Sequence, residues 1–241
     1  MEKYRILGAP CLLVENVSSI KEYIGNLVEN KTGGYSVAIN AEKIMMYEKN
    51  PEMKEIMERS ILPTPDGAGA VIGMKFLHKR RSIKLDLPKT VFQLADKNRY
   101  SMFVLGATEE SNEKAAEKIK ELYPGINMVG RRNGYFDDES EITSILCDLK
   151  PQIVMIALGS PKQEIFAQKM NKVVPGTLFI GCGGALDILA GKTKRAPEFF
   201  INNNLEWFYR LVKEPRRIAR QMILPVFLFK IFKKLFIKKE P

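Results

Sequence analysis

Residues 151–164 read PQIVMIALGSPKQE, and this stretch decides the fold. Ile153 to Ala157 is an unbroken apolar run bounded by Pro151 and Gly159. Its length and β-branched content suit a strand buried on both faces, as in a parallel sheet covered by helices. The run passes through Gly159-Ser160-Pro161, and Lys162, Gln163 and Glu164 then occupy a first helical turn. A strand that turns through glycine into a helix commonly holds something at that turn. An anion with a hydroxylated neighbour fits best, which makes Gly159, Gln163 and Glu164 candidate contacts.

The same rhythm extends in both directions. Strands are expected at YSVAIN (35–40), ILPT (61–64), SMFVLGA (101–107), INMVG (126–130), IVMIALG (153–159) and TLFIGCG (177–183). Helices are expected between them. Ser19 opens SIKEYIGNLVEN with Glu22 completing a capping box. Asn50 and Pro51 open PEMKEIMERS as N-cap and first helical residue, and EESNEKAAEKIKELY ends before Pro124-Gly125. Strand–helix alternation predicts an α/β fold, a Rossmann-like, mostly parallel sheet with helices on both faces. Ligands of such sheets bind beyond the carboxyl ends of the strands. After KRAPEFF the pattern changes. The expected division is a Rossmann-like catalytic domain over 1–195 and a helical appendage over 196–241.

The 241 residues are 45% hydrophobic and 27% charged, an ordinary globular composition. The net charge is +10, and the segment from Arg210 onward, with ten basic residues and two acids, carries +8 of it. Cys11, Cys147 and Cys182 lie far apart in apolar surroundings, as core residues in a reducing compartment do. His78 stands alone beside three basic residues, so a histidine metal site is not expected. MEKYRILGAP has no apolar run behind a basic start, so no secretory leader is expected.

Several motifs carry candidate chemistry. Gly191-Lys192-Thr193 resembles the end of a P-loop, but the glycine needed five residues earlier is Leu186. GCGGAL (181–186) resembles a dinucleotide fingerprint, and Leu186 again replaces the last glycine. What remains is a glycine turn at Gly183 that opens a helix, serving a phosphate or packing alone. Asp187 in that helix is either a dipole-favoured surface acid or a ligand contact. In LPTPDGAGAV (62–71), Asp66 stands at a strand end before small residues. Its carboxylate suits a general base for a hydroxyl nucleophile, or a helix N-cap, or both. Tyr135, after the turn pair Asn133-Gly134, is placed to stack on a base or to form a lid. No Asp-X-Asp triplet occurs, so no metal is expected. A departing diphosphate would then need arginines, of which Arg81, Arg195, Arg210, Arg216, Arg217 and Arg220 are available.

Taken in order, TPDGAGAV, NGYF, LGSPKQE and GCGGALDILAGKTKRAPEFFINNNLEWFYRLVKEPRRIAR resemble the WecG/TagA/CpsF family of bacterial glycosyltransferases. The match runs from about Cys11 to Arg220, and EWFYRL and EPRR are its most specific parts. The resemblance implies an inverting, metal-independent transfer from a UDP-sugar donor, with no cofactor. The acceptor it implies is a sugar on undecaprenyl diphosphate at the cytoplasmic membrane face. Members add N-acetylmannosamine to lipid-linked N-acetylglucosamine in wall teichoic acid synthesis, and others move N-acetylmannosaminuronic acid or glucose into surface polysaccharides. By this resemblance Asp66 is the general base and Asn40 a donor-pocket residue. Tyr135, Gln163 and Asp187 surround the nucleotide and its sugar, and Arg210, Arg216, Arg217 and Arg220 complete the site. Two positions depart from the pattern. Ala38 replaces a threonine, and RSIKLDL (81–87) has Lys84 in place of a glycine while Arg81 and Asp86 remain; these put the sugars' identity in question.

Two other classes compete. A Rossmann epimerase or dehydrogenase would need NAD and an intact glycine fingerprint. A nucleic-acid-binding protein would need a continuous basic stripe, whereas residues 222–239 alternate lysine with Phe, Leu and Ile. That alternation favours an anionic membrane surface instead. Lys230, Lys233, Lys234 and Lys238 fall on one helical face, with Leu228, Ile231, Phe232 and Leu235 opposite, a face for lipid or for packing on the protein's own core or another subunit. The 14 residues from Val226 to Lys239 would reach about 21 Å, too short to span a core of roughly 30 Å. The expected partners are thus the donor, the lipid-linked acceptor and the membrane surface, not nucleic acid; a homo-oligomer stays open.

Overall fold

The computed structural model describes residues 1–193, 196–197, 200, 209 and 223–237. An antiparallel hairpin, β1 (Lys3–Ile6) and β2 (Ala9–Leu12), precedes α1 (Val17–Glu29). Next come β3 (Gly34–Ile39), α2 (Ala41–Lys49), α3 (Pro51–Arg59), β4 (Leu62–Pro65), α4 (Gly67–His78) and α5 (Leu87–Asn98). The second half holds β5 (Ser101–Gly106), α6 (Glu109–Leu122), β6 (Asn127–Arg132), α7 (Glu139–Leu149), β7 (Ile153–Ala157), α8 (Lys162–Val173), β8 (Leu178–Gly181) and α9 (Ala185–Leu189). Helix α10 (Ile223–Ile237) lies near the carboxyl terminus.

Strands β3 to β8 form one six-stranded, all-parallel sheet in the order β4-β3-β8-β7-β5-β6. Their side chains alternate between two cores, as the period of two requires. Val154 and Ile156 of β7 enter one cluster, with α2, α3, α4 and α8, while Ile153 and Met155 enter the other, with α1, α5 and α6. Both faces are therefore covered, and each fully buried aliphatic or aromatic side chain contributes roughly 1.5–3 kcal/mol.

All six expected strands form, and the sheet is parallel throughout. The Asn50 cap also forms, its Oδ1 accepting from Met53 N at 3.0 Å before Pro51. The expected cap of α1 does not. Asn16, not Ser19, is the N-cap, and Ser19 N donates to Asn16 Oδ1 at 2.9 Å. The β1–β2 hairpin had no counterpart in the sequence reading. Its turn, Leu7-Gly8, has φ of 49° and 97°, the two-residue geometry with both central angles positive. Leucine is not a turn residue by composition, so the signal was absent.

The topology opens a crevice. Strand β3 leads through α2 and α3 to β4 at one edge of the sheet, whereas β8 leads to α9, which packs on α6 over the other half. Adjacent strands whose connections diverge leave room for a ligand at their carboxyl ends.

Helix α10 packs on α2 and α4, burying Phe227 and Ile231 in the core, with Leu228 and Leu235 partly buried beside them. Of the two readings of Leu228, Ile231 and Leu235, lipid or the protein's own core, the structure shows the second. Lys230 pairs with Glu48 of α2. The outward stripe is Val226, Phe229, Phe232 and Phe236, spaced along one side of the helix. Among the described residues no helix is long and apolar enough to cross a membrane. Phe227→Ala should remove about 3–5 kcal/mol of packing. Hydrogen exchange should then show α10 losing protection while β3, β7 and β8 keep theirs; unchanged protection of α10 would contradict its docking by this side chain.

Candidate active site

A cavity of about 710 Å³ lies at the carboxyl ends of β3, β4 and β8, within the size range of small-molecule and cofactor sites. Five sequence-predicted residues meet on its wall: Asn40, Asp66, Asp86, Gln163 and Gly183. Ala38 and Lys84, the two positions that depart from the family pattern, line it as well. Helix α10 adds Ile223 and Leu224.

Each wall residue is set by a local backbone device. Asn40 ends β3 and caps α2, its Oδ1 accepting from Lys43 N at 3.0 Å. The carbonyl is thus committed to the cap, and the amide N–H groups are what the side chain offers a ligand. Asp66 follows β4 in extended conformation, held by its N–H to Ile39 O at 2.9 Å. It occupies the N-cap position of α4, yet its carboxylate makes no capping bond. Gly67, next in the chain, has φ of +74° and nothing within 4 Å of where a Cβ would stand. Only glycine adopts that angle at no cost, and the open space lets a ligand approach the backbone beside the carboxylate. The same open space lies at Gly183. Asp86 caps α5, accepting from Lys89 N at 3.3 Å, and Leu85 N donates to Pro65 O at 3.1 Å, which pins this segment to the end of β4.

Gln163 is buried against the carboxyl end of β8. A Cβ on Gly181 would lie 2.7 Å from its Nε2, so the absent side chain is what seats the glutamine. Its Nε2 donates to Glu164 Oε1 at 3.1 Å, and Lys43 Nζ donates to the same oxygen. Glu164 is only 2% exposed and stands behind the wall, touching the cavity only through Gln163 and Lys43. Lys43, which lines the cavity, was missed by the sequence reading. Its partner is 121 residues away, and no local pattern announces such a pair. Burial pushes the Cys182 thiol up to about 12, so this wall residue is an apolar filler, not a nucleophile.

Other expected residues lie elsewhere. Arg81 is exposed and outside the cavity. Gly159 sits on the exposed turn after β7, and Asp187 is half-buried in α9, its main-chain oxygen accepting from Lys192 N and Thr193 N. Tyr135 is 74% exposed beyond β6, the strand at the far edge of the sheet from β4. Its loop is tied to the end of β5 by Gly134 N to Ala107 O at 2.8 Å. Arg195, Arg210, Arg216, Arg217 and Arg220 lie outside the described residues. Among the described residues no three His, Cys, Asp or Glu side chains are grouped to hold a metal.

The crevice and cavity together are those of a Rossmann-like α/β enzyme. A model of the glycosyl transferase WecG/TagA/CpsF family matches residues 4–241, and the chain belongs to that glycosyltransferase family. Two curated relatives cover nearly the whole chain. An N-acetylglucosaminyldiphosphoundecaprenol N-acetyl-β-D-mannosaminyltransferase of Bacillus spizizenii is 30% identical over 223 residues, 90% of this chain and 87% of the relative. The protein of the same name from Bacillus subtilis is 29% identical over 222 residues, with the same coverage.

Gly181→Ala should tilt Gln163 off its seat without disturbing the sheet hydrogen bonds. A misplacement near 1 Å costs about 10²-fold in rate, so sugar transfer should fall by that order while the melting temperature moves by a few degrees. Full activity would show that the position of Gln163 does not matter.

Proposed function

We propose that the protein transfers one sugar, N-acetylmannosamine in the first instance, from a UDP donor to a sugar carried on undecaprenyl diphosphate, with inversion and without a metal. Family membership supports the reaction class, and the names of the two relatives support the donor and acceptor. The observation that carries the chemistry is the place of Asp66, a carboxylate on the cavity wall at the end of β4, beside the open backbone of Gly67.

In this mechanism the acceptor hydroxyl attacks the anomeric carbon of the donor. Asp66 takes the hydroxyl proton, the new glycosidic C–O bond forms, and the bond from that carbon to the UDP oxygen breaks. One displacement from the opposite face inverts the configuration. Negative charge grows on the departing diphosphate, and Arg210, Arg216, Arg217 and Arg220 supply bidentate donors to it. Tyr135 and Asp187 serve the nucleotide. Glucose or a uronic acid as the transferred sugar is the nearest alternative. An NAD-dependent Rossmann enzyme is disfavoured because Leu186, at the place of the last fingerprint glycine, is fully buried in the core.

Attachment to the cytoplasmic membrane face is part of the same proposal. Phe229 and Phe236 of α10 are 68% and 72% exposed, Phe232 packs at a tilt against Phe76 of α4, and Lys233 and Lys234 are exposed on the same helix. Aromatic side chains next to lysines suit an interface of headgroups and acyl chains.

Two measurements test these points. With EDTA present, the wild type should release UDP in the presence of a lipid-linked acceptor, and Asp66→Asn should lose about 10²–10⁴-fold of that rate while still binding UDP; near-wild-type turnover would remove Asp66 as base. Phe229→Ser with Phe236→Ser leaves the buried side of α10 intact, so the fold should persist while co-sedimentation with anionic vesicles drops. Unchanged sedimentation would place the membrane contact elsewhere.

A further inference from the structure

Residues 67–85 and 223–237, which carry α4 and α10, hold eight lysines and arginines and no aspartate or glutamate. The two helices run side by side in the same direction. Each begins at the cavity, which Gly67 and Ile223 line. Phe76 and Phe232, nine residues further on in each helix, meet with ring centroids 5.9 Å apart and planes tilted by 57°. Nine residues of helix span about 14 Å, so the ring pair stands well away from the cavity. It is not core: Phe76 is 40% and Phe232 44% exposed. Through this pair the outward aromatic stripe of α10 continues onto α4.

Cations frame the stripe on both helices. Lys75 and the C-cap residue Lys79 are exposed on α4, and Lys75 Nζ lies 5.8 Å from the centre of the Phe76 ring. Lys233 and Lys234 are exposed on α10. Of the acids nearby, Glu2 pairs with Arg80 and Glu48 with Lys230. A cation at the carboxyl end of a helix offsets its dipole, but that explains one or two charges and none of the exposed rings. A contiguous apolar stripe of this kind marks an interaction surface, and its cations require a partner that is apolar within and anionic at its edge. An anionic phospholipid leaflet has that order, acyl chains below and phosphates at the level of the lysines. A second copy of the same face would bring like charges together with no acid to meet them.

We propose that the end of α4 and the outer side of α10 form one docking surface for an anionic phospholipid leaflet, with Phe76, Phe229, Phe232 and Phe236 at the acyl boundary and the lysines at the phosphates. This rests on the membrane attachment proposed above and extends it to a helix of the sheet domain. A single amphipathic helix touches a surface along one line and can roll about it. Two neighbouring helices, with axes about 8–10 Å apart, touch along two lines and resist the roll. The surface therefore sets the orientation of the cavity to the leaflet as well as holding the enzyme there.

The test is co-sedimentation of full-length variants with phosphatidylcholine vesicles, with and without phosphatidylglycerol. Lys75→Gln/Lys79→Gln should weaken binding to the anionic vesicles about 30-fold, and Phe76→Ser should weaken it about fivefold or more. Lys97→Gln/Lys120→Gln makes the same charge change on α5 and α6, across the sheet, and should alter binding by no more than about twofold. All three should bind UDP and melt as the wild type does; if Phe76→Ser is destabilised, the Lys75/Lys79 variant decides alone. Wild-type vesicle binding by that variant would overturn the proposal. Equal weakening by Lys97→Gln/Lys120→Gln would also overturn it, because net charge alone would then be at work. Loss of binding in Phe229→Ser/Phe236→Ser, with full binding in both α4 variants, would sink this surface and leave attachment through α10 standing. A wild type that sediments with neither kind of vesicle would sink both. A dimer in sedimentation velocity that Phe76→Ser breaks would give the face to a second copy and overturn the lipid assignment.

Discussion

Strand β3 meets β8 across two registered residue pairs, Gly34 with Leu178 and Tyr35 with Phe179, and every wall of the cavity is positioned from one side or the other of that seam. The segments joined lie more than 140 residues apart. Side-chain and main-chain bonds reinforce the short ladder: Gly181 N donates to Ser36 Oγ at 3.0 Å, and Gly34 N to Thr177 O at 3.1 Å. A Cβ on Gly33 would stand 2.8 Å from Gly176 N, so the backbones approach as closely as they do only because side chains are missing there. Asn40 and, through β4, Asp66 are carried by one half; Gln163, Gly181 and Gly183 are carried by the other. The site exists only while this seam is closed.

The charges of the site follow the same division. Lys43 belongs to the β3 half and Glu164 to the β7–β8 half, so their pair is a second, electrostatic tie across the seam. It sits in a low-dielectric place where attraction is strong but desolvation is costly. The backbone ladder and the apolar cores supply the stability. The pair adds orientation, holding two side chains in one geometry at the cavity floor.

Much of this was legible in the sequence, and the parts that were not share a cause. Ile153 to Ala157 announces a strand because a strand buried on both faces needs five or more consecutive apolar residues. Asn50-Pro51 announces a helix start because a cap is a contact between residues three apart. Asp66, Asn40 and Gln163 were legible as candidates because strand ends in a parallel sheet mark the edge where ligands bind. The Lys43–Glu164 pair was not, because its partners meet only after the sheet has assembled. The direction of α10 was misread for a related reason. The helix carries two apolar stripes, Phe227 with Ile231 and Phe229 with Phe236, and periodicity cannot say which of them finds the core. Tyr135 illustrates the point in another form: its place beyond the edge strand β6 follows from the strand order, which is a property of the whole sheet.

One helix joins three environments. The first turn of α10 lines the cavity through Ile223 and Leu224, its middle is locked into the core by Phe227 and Ile231, and its outer side carries exposed phenylalanines. The distance from the Asp66 carboxylate to the aromatic stripe is thus fixed by packing and does not vary with a linker. For an enzyme held on a bilayer by that stripe, the lipid-borne substrate arrives by lateral diffusion at a set depth. The relevant abundance is then molecules per unit area of membrane, and diluting vesicles of constant composition would leave the encounter rate of bound enzyme unchanged.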